Sequence, residues 1–228
     1  MVVGYHRVAD RDDHMTVRPP IFAKHISWLA ADRAHVPIVE IDDAVRRPAF
    51  EWPRRAVAVT FDDAWQDVYA NALPVLTGAG VPSTLYVPSR LIGGREYMTR
   101  AQVLECAAAG MRIGGHSRTH VDLRACNDAE LERELRGCRE DLEDLLGEPM
   151  TRFAYPFGHL DQRVRAAVVA AGFTSAVSTQ RAWARPDGDA LRIPRNIIED
   201  FDVETFRAAL RGGLNVLRAV DAVRRKAG

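Results

Sequence analysis

The chain has 228 residues, with 31 Lys and Arg against 31 Asp and Glu, and is 47% hydrophobic and 27% charged. Such a composition is that of a globular protein and excludes disordered and fibrous classes. Zero formal charge leaves no surplus of cations to neutralise nucleic-acid phosphates, and no run of about 18 apolar residues is present to span a bilayer. Strand-like and helix-like stretches then alternate. Residues 2–8 are apolar and β-branched and predict a strand; residues 20–33 predict a helix with Phe22, Ile26 and Leu29 on one face. A strand over 36–41 and a short helix over 42–47 follow. The run AVAVTF at 56–61 reads as a buried strand, and 67–79 as a helix interrupted near Pro74. After a strand at 83–88, Thr99 predicts the N-cap of a helix reaching Ala109, and 111–115 is again a strand. Asn127 with Glu130 forms a capping-box pattern opening a long helix to about Leu146. Strands at 152–156, 174–178 and 192–198 and helices at 164–171 and 203–211 complete the series, with 178–191 predicted as a long surface loop.

Leu131, Leu135, Cys138, Leu142 and Leu145 repeat at four-three spacing. Too few heptads are sustained for a coiled coil, so a core-facing helix is expected. Strands separated by helices predict a parallel sheet, and about eight strands in about 200 residues suit a compact, incomplete (β/α) barrel; a doubly wound open sheet is the alternative. Cys106, Cys126 and Cys138 form no CxxC pair and are expected as reduced, mostly buried thiols. The opening MVVGYHRVADRDD has no basic stretch followed by an apolar one, and the expectation drawn from it is a cytoplasmic protein. The basic residues Arg224, Arg225 and Lys226 are expected to be solvated.

Unusual polar residues collect at the carboxyl ends of these strands. Asp62 and Asp63 follow AVAVTF, His116 follows MRIGG, His6 ends the first strand, and Tyr155-Pro156-Phe157-Gly158 ends another. In a parallel barrel those ends share one rim, so residues distant in sequence converge there. Alone, an Asp-Asp pair more often caps the next helix, and a lone HxxxH more often marks two ordinary histidines. If His120 enters a helical turn, its imidazole and that of His116 face the same way and can hold one ion. An Asp-His-His set leaves metal positions open for water and substrate, as a catalytic site requires.

Thr60-Phe61-Asp62-Asp63, His116-Ser117-Arg118-Thr119-His120 and Phe153-Ala154-Tyr155-Pro156-Phe157-Gly158 resemble the first three motifs of the NodB-type polysaccharide deacetylases. The opening Gly4-Tyr5-His6-Arg7-Val8 and the late Arg192-Ile193-Pro194-Arg195-Asn196 resemble the branch that includes poly-N-acetylglucosamine deacetylases, in which the motif order is permuted. The resemblance implies one catalytic domain over 1–228, with a helical segment and tail at 202–228, folded as a distorted NodB-like (β/α) barrel with fewer complete units than eight. It implies a metal-dependent hydrolase that removes N-acetyl groups from an N-acetylhexosamine-containing glycan. By resemblance, Asp63, His116 and His120 match the ligands of one divalent ion, zinc first and cobalt or nickel next. Asp62 matches the general base and Phe157 the backbone N–H that stabilises the oxyanion. His6 matches the acid that protonates the leaving amine, a hydrogen-bonded core histidine being the rival reading.

Several positions depart from the family pattern. Ala64 stands where Gly is usual, and a positive φ would disfavour it. Ala154 replaces an Arg that orients the base; Arg195 from the last strand is expected to take its place, with Arg152 a less well-aligned candidate. Phe157 replaces Tyr, and no histidine follows His159, which puts the acid role on His6 and leaves His159 in reserve. Other readings are a deacetylase of a small cytosolic sugar conjugate, a carbohydrate-binding relative with impaired catalysis, and, less well supported by the ligand count, a metal phosphoesterase. His14, His25 and His35 are expected to be solvated, Trp28 and Trp52 structural. Trp65 is either a sugar-stacking wall or packed against a neighbouring helix; Trp183, in the long loop, either covers the site or, the preferred reading, is a peripheral anchor.

Overall fold

The computed structural model describes residues 1–32, 41, 55–185 and 187–211. The predicted strand at 36–41 (Ile41 apart), the predicted helix at 42–47, His35, Trp52 and the basic residues 224–226 lie outside the described residues. Seven parallel strands form one curled sheet in the order β8-β7-β6-β5-β4-β1-β9. They are β1 (Val2–Tyr5), β4 (Ala58–Phe61), β5 (Ser83–Val87), β6 (Arg112–Gly115), β7 (Arg152–Ala154), β8 (Ser175–Val177) and β9 (Asn196–Ile197). A small parallel pair, β2 (Arg7–Val8) and β3 (Thr16–Val17), stands apart. Six helices are described: α1 (Pro19–Ala31), α2 (Leu73–Ala79), α3 (Arg100–Ala108), α4 (Asp128–Leu146), α5 (Gln162–Ala170) and α6 (Val203–Leu210).

This is the distorted (β/α) barrel that the sequence predicts, with local differences. The strand expected at 2–8 divides at His6 into β1 and β2. The strand expected at 192–198 shortens to β9, because residues 190–193 pair instead with β8. Ala176 N–H donates to the Ala190 carbonyl, Ile193 N–H to Ala176 and Ser178 N–H to Ile193. One segment therefore touches both edges of the sheet, β8 at Ile193 and β1 at Asn196 and Ile197. The helix expected over 67–79 is a π-helical turn, Val68–Ala72, running into α2, which has Pro in its first turn where its missing N–H costs nothing. Both predicted caps form. Thr99 with Gln102 opens α3, and Asn127 with Glu130 opens α4, each as a reciprocal capping box.

Period-two alternation sorts the strand residues between two cores. Val3, Tyr5, Val59, Phe61, Leu85, Val87, Ile113 and Phe153 face outward against the helices in one cluster that takes in Leu131, Leu135, Cys138, Leu142 and Leu145 of α4. Val2, Ala58, Tyr86, Ala154, Val177 and Ile193 form the smaller inner cluster. The same alternation carried to the carboxyl ends places Gly4 and His6, Thr60 and Asp62, and Gly114 and His116 on the inner face.

His25 corrects an expectation. It is fully buried, its ring stacks on Phe206 at 4.1 Å, Nε2–H donates to the Phe201 carbonyl at 2.9 Å, and Nδ1 lies 3.3 Å from the Tyr5 hydroxyl. His14 is exposed as expected. The three cysteines are free, Cys106 and Cys138 buried and Cys126 half-buried. Trp183 packs on the edge of the outer core. Among the described residues no helix is long and apolar enough to cross a membrane.

Candidate active site

Asp62 and Asp63 follow β4 and both bring a carboxylate oxygen to His116 Nε2, at 4.0 and 3.5 Å; between them the chain turns, Asp63 into the left-handed region with φ 72 and Ala64 after it at φ 56. A left-handed conformation costs an L-residue about 1–2 kcal/mol. Two in succession, neither of them glycine, mark a turn held by its surroundings. The Ala64 carbonyl accepts from Met98 N–H at 2.9 Å, and Gln66 N–H donates to the Glu96 carbonyl at 2.8 Å. Ser117 and His120 are likewise left-handed, both at φ 59. The two histidines therefore do not meet as i and i+4 on a helix, as the spacing suggested. They meet through a loop closed by His120 N–H on the Ser117 hydroxyl at 2.9 Å.

The result is a compact donor set. One ligand atom from each of Asp63, His116 and His120 lies within 4.8 Å of the others. Asp63 Oδ1 is 3.5 Å from His116 Nε2 and 3.2 Å from His120 Nε2. His116 Nδ1 is 2.8 Å from the Ala154 carbonyl, which fixes a proton there and turns Nε2 toward Asp63 as the nitrogen that a metal would take. Asp63 Oδ1 is buried with no hydrogen-bond partner. Two imidazole nitrogens and an unpaired, buried carboxylate oxygen turned to one point are the donors a divalent ion takes, so this set fits one. The electrostatics favour a positive charge among these groups. Burial works against a charge on His116, but Asp62 and Asp63 outweigh it and raise its pKa. Burial and the neighbouring His116 lower that of His120. Burial opposes ionisation of Asp63 too, yet the surrounding histidines hold it well below the usual carboxylate range.

Beside this set, Asp62 is gripped by Arg195. Nη1 donates to Oδ1 at 2.6 Å and Nη2 to Oδ2 at 2.5 Å, and Nη1 also reaches the Thr60 hydroxyl at 3.2 Å. Burial disfavours the charge on Asp62, but Arg195 overcomes it and lowers the pKa, which favours the carboxylate. Arg195 enters because the closing segment carries it inward, with its N–H on the Gln180 carbonyl, and because Gly4 leaves space. A Cβ on Gly4 would stand 3.1 Å from Arg195 Cδ and 2.9 Å from Ile197 Cδ1. Tyr86 flanks the guanidinium at 5.7 Å and lies over Gly114, where a Cβ would come within 2.5 Å of its ring. Arg152 is not the partner of Asp62; its Nη1 donates to the Ile113 carbonyl.

His6 Nε2 stands 3.8 Å from Asp62 Oδ2, and burial lowers its pKa despite both aspartates. Phe157, at φ 60, is 54% exposed and sets its ring 4.7 Å from that of His120. All seven residues singled out from the sequence thus gather on one rim. His159 does not join them at Asp62. It is exposed and bonded to Asp122 at 3.0 Å and Arg124 at 2.7 Å. A cavity of about 920 Å³ lined by Asp10, Arg11, Asp13, His14, Glu199 and Asp200, among others, contains none of the seven.

Trp65 was not resolved by the sequence, and it is no sugar-stacking wall. Its ring stacks on Tyr97 at 4.3 Å and 22°, the Arg7 guanidinium stands 3.7 Å over it, and its Nε1–H donates to Asp63 Oδ2 at 3.0 Å.

The polysaccharide deacetylase family pattern matches residues 51–176, more than half of the chain and inclusive of the Asp62-Asp63, His116–His120 and Phe157 segments. The chain belongs to the polysaccharide deacetylase family. Among curated members it is similar to the YxkH protein of Bacillus subtilis (24% identity over 187 residues, 82% of this chain and 66% of that one), so it spans about two thirds of that relative's length. It is also similar to the poly-beta-1,6-N-acetyl-D-glucosamine N-deacetylase of Staphylococcus epidermidis (24% over 238 residues, 90% and 81%). The deacetylase fold is shared with Streptococcus pyogenes deacetylase PplD, solved in complex with acetate (TM-score 0.84, 20% identity, 92% and 96% covered). IcaB from Ammonifex degensii has it too (TM-score 0.75, 22%, 92% and 94%).

Proposed function

We propose that the chain removes N-acetyl groups from an N-acetylhexosamine-containing glycan, with one divalent ion, zinc in the first place, held by Asp63, His116 and His120. The observation that carries this reading is the pairing of two sites on one rim: an orphaned carboxylate oxygen facing two imidazole nitrogens, and next to it a buried carboxylate kept ionised by a forked arginine. The named activities of the Staphylococcus epidermidis relative and of a Bradyrhizobium chitooligosaccharide deacetylase 29% identical over 167 residues support the substrate class.

When bound, the ion supplies Lewis-acid polarisation of the acetamide carbonyl and a lowered pKa for water. Asp62 takes the water's proton as general base, and Arg195 holds its carboxylate in one orientation throughout. The Phe157 backbone N–H donates to the oxyanion as the carbonyl becomes tetrahedral. His6 is neutral at rest because it is buried. With Nε2 only 3.8 Å from Asp62, it is placed to receive the proton that Asp62 removes and to pass it to the departing amine. Arg195 in the place of the missing motif arginine supports a working catalyst over a binding-only relative. The test is acetate release from a panel of N-acetylated oligosaccharides and small sugar conjugates by protein loaded with zinc, cobalt or nickel. Turnover of oligosaccharides with Asp62→Asn inactive supports the reading, and no acetate from any member of the panel ends it.

A further inference from the structure

We propose that Trp65 is a positioning residue for the metal ligand Asp63: its indole N–H holds Oδ2 and so presents Oδ1 alone to the ion. The proposal rests on the metal-site reading above. A carboxylate left to itself rotates about its terminal torsion, which has a broad preference, and offers either oxygen or both. Here one oxygen is tied at 3.0 Å to Trp65 Nε1, while the other is buried, unpartnered and turned to His116 and His120.

The donor is itself braced. Tyr97 stacks on the indole at 4.3 Å and the Arg7 guanidinium lies 3.7 Å over it. Arg7 is clamped in turn by Asp67 at 3.0 Å and Glu96 at 3.1 Å. The backbone on both sides of Trp65 is bound to the segment carrying Tyr97, by Gln66 N–H on Glu96 and Met98 N–H on Ala64. A ring fixed by stacking, a cation and two backbone bonds is a rigid donor. Partners of this kind, one bond removed from a metal, change affinity by about 10–100-fold when lost. Stacking against protein groups also accounts for why this aromatic is unavailable to a sugar ring.

The test is Trp65→Phe, which keeps an aromatic ring for Tyr97 and Arg7 but removes the N–H. Zinc and cobalt affinities are measured by competition with a chromophoric chelator, alongside thermal unfolding of the metal-free protein. The expected result is affinity weakened about tenfold, an altered cobalt absorption band, and a metal-free melting temperature within about 2 °C of wild type. A merely structural role would lower the melting temperature and leave the affinity of the folded protein unchanged. Wild-type affinity in Trp65→Phe overturns the proposal while leaving the metal site standing. Failure of the wild-type protein to take up one equivalent of ion overturns both. Should Trp65→Phe not fold, Tyr97→Leu keeps the N–H and removes the brace; a weaker affinity there supports the proposal, and an unchanged one overturns it.

Discussion

Arg195 meets Asp62 with both terminal nitrogens, at 2.6 and 2.5 Å, across 133 positions of chain. Both side chains are buried, so the pair is shielded from the solvent that makes surface ion pairs weak. Breaking one side of such a pair costs about 3–5 kcal/mol, because the other charge is left uncompensated. Arg195→Lys keeps the charge and loses the fork. The expected outcome is a loss of about 10–100-fold in kcat/KM, the equivalent of one charge-assisted hydrogen bond. A displaced acid limb should accompany it. Arg195 holds the Asp62 pKa down; weakening that grip raises it, so activity is lost at a higher pH than in wild type. Superimposable pH–rate profiles would contradict the role given to Arg195.

The proposed base and metal-binding roles are separable by residue. Asp62→Asn leaves the donors of Asp63, His116 and His120 in place, so it should bind one equivalent of zinc while losing about 10²–10⁴ in kcat. His120→Ala removes a donor from the set and should fail first in binding. Its activity should recover in part at high metal concentration, whereas that of Asp62→Asn should not. Stoichiometry by equilibrium dialysis and acetate release at graded zinc distinguish the two. Equal metal loss in both variants would mean that Asp62 is itself a ligand.

How far this was legible beforehand depends on what each residue needs. Asp62, Asp63 and His116 each end an apolar run, and parallel strand ends share a rim, so pattern alone brings them together. The role of Trp65 is hidden because it depends on consecutive left-handed residues at Asp63 and Ala64, with no glycine to signal them. Arg195 follows β8 pairing into a strand of two residues, Asn196–Ile197, too short for any periodicity to say which way it points. Only the gap left by Ala154 suggested it. His25 reads as solvated from its helix, whereas its burial is set by Phe206 and Phe201 at the far end of the chain. Long-range packing of that sort leaves no local trace.

Two glycine substitutions should act with opposite sign. Gly4→Ala puts a methyl 2.9 Å from Ile197 Cδ1 and 3.1 Å from Arg195 Cδ. Overpacking of this kind costs about 1–3 kcal/mol, and here the displaced side chain is the one that orients Asp62, so activity should fall with stability. Gly78, near the end of α2, is exposed, and a Cβ added there would meet nothing within 4 Å. Gly78→Ala should stabilise by about 0.5–1 kcal/mol through helix propensity and leave activity alone. Urea unfolding with acetate assays reads both, and a neutral Gly4→Ala would show that the barrel interior has slack beside Arg195.

His25 gives the chain a pH-dependent stability that does not involve the candidate site. Burial brings its pKa down from 6.5 to about 4, and its contacts suit the neutral ring, with Nε2–H donating to the Phe201 carbonyl and Nδ1 facing the Tyr5 hydroxyl. The unfolded chain takes up a proton near pH 6.5 that the folded chain resists until about pH 4, so the unfolded state binds more protons throughout that interval. Stability therefore rises with pH there: the contribution is complete above pH 6.5 and is lost as pH falls toward about 4. A shift of this size corresponds to about 3 kcal/mol. His25→Gln should be less stable than wild type at pH 7.5, because it loses the stack on Phe206. Its unfolding free energy should also fall less steeply between pH 6.5 and 4.5, so that the two curves converge in acid. Denaturant unfolding at half-unit pH steps measures this, and parallel curves for the two proteins would show that His25 is not the group responsible.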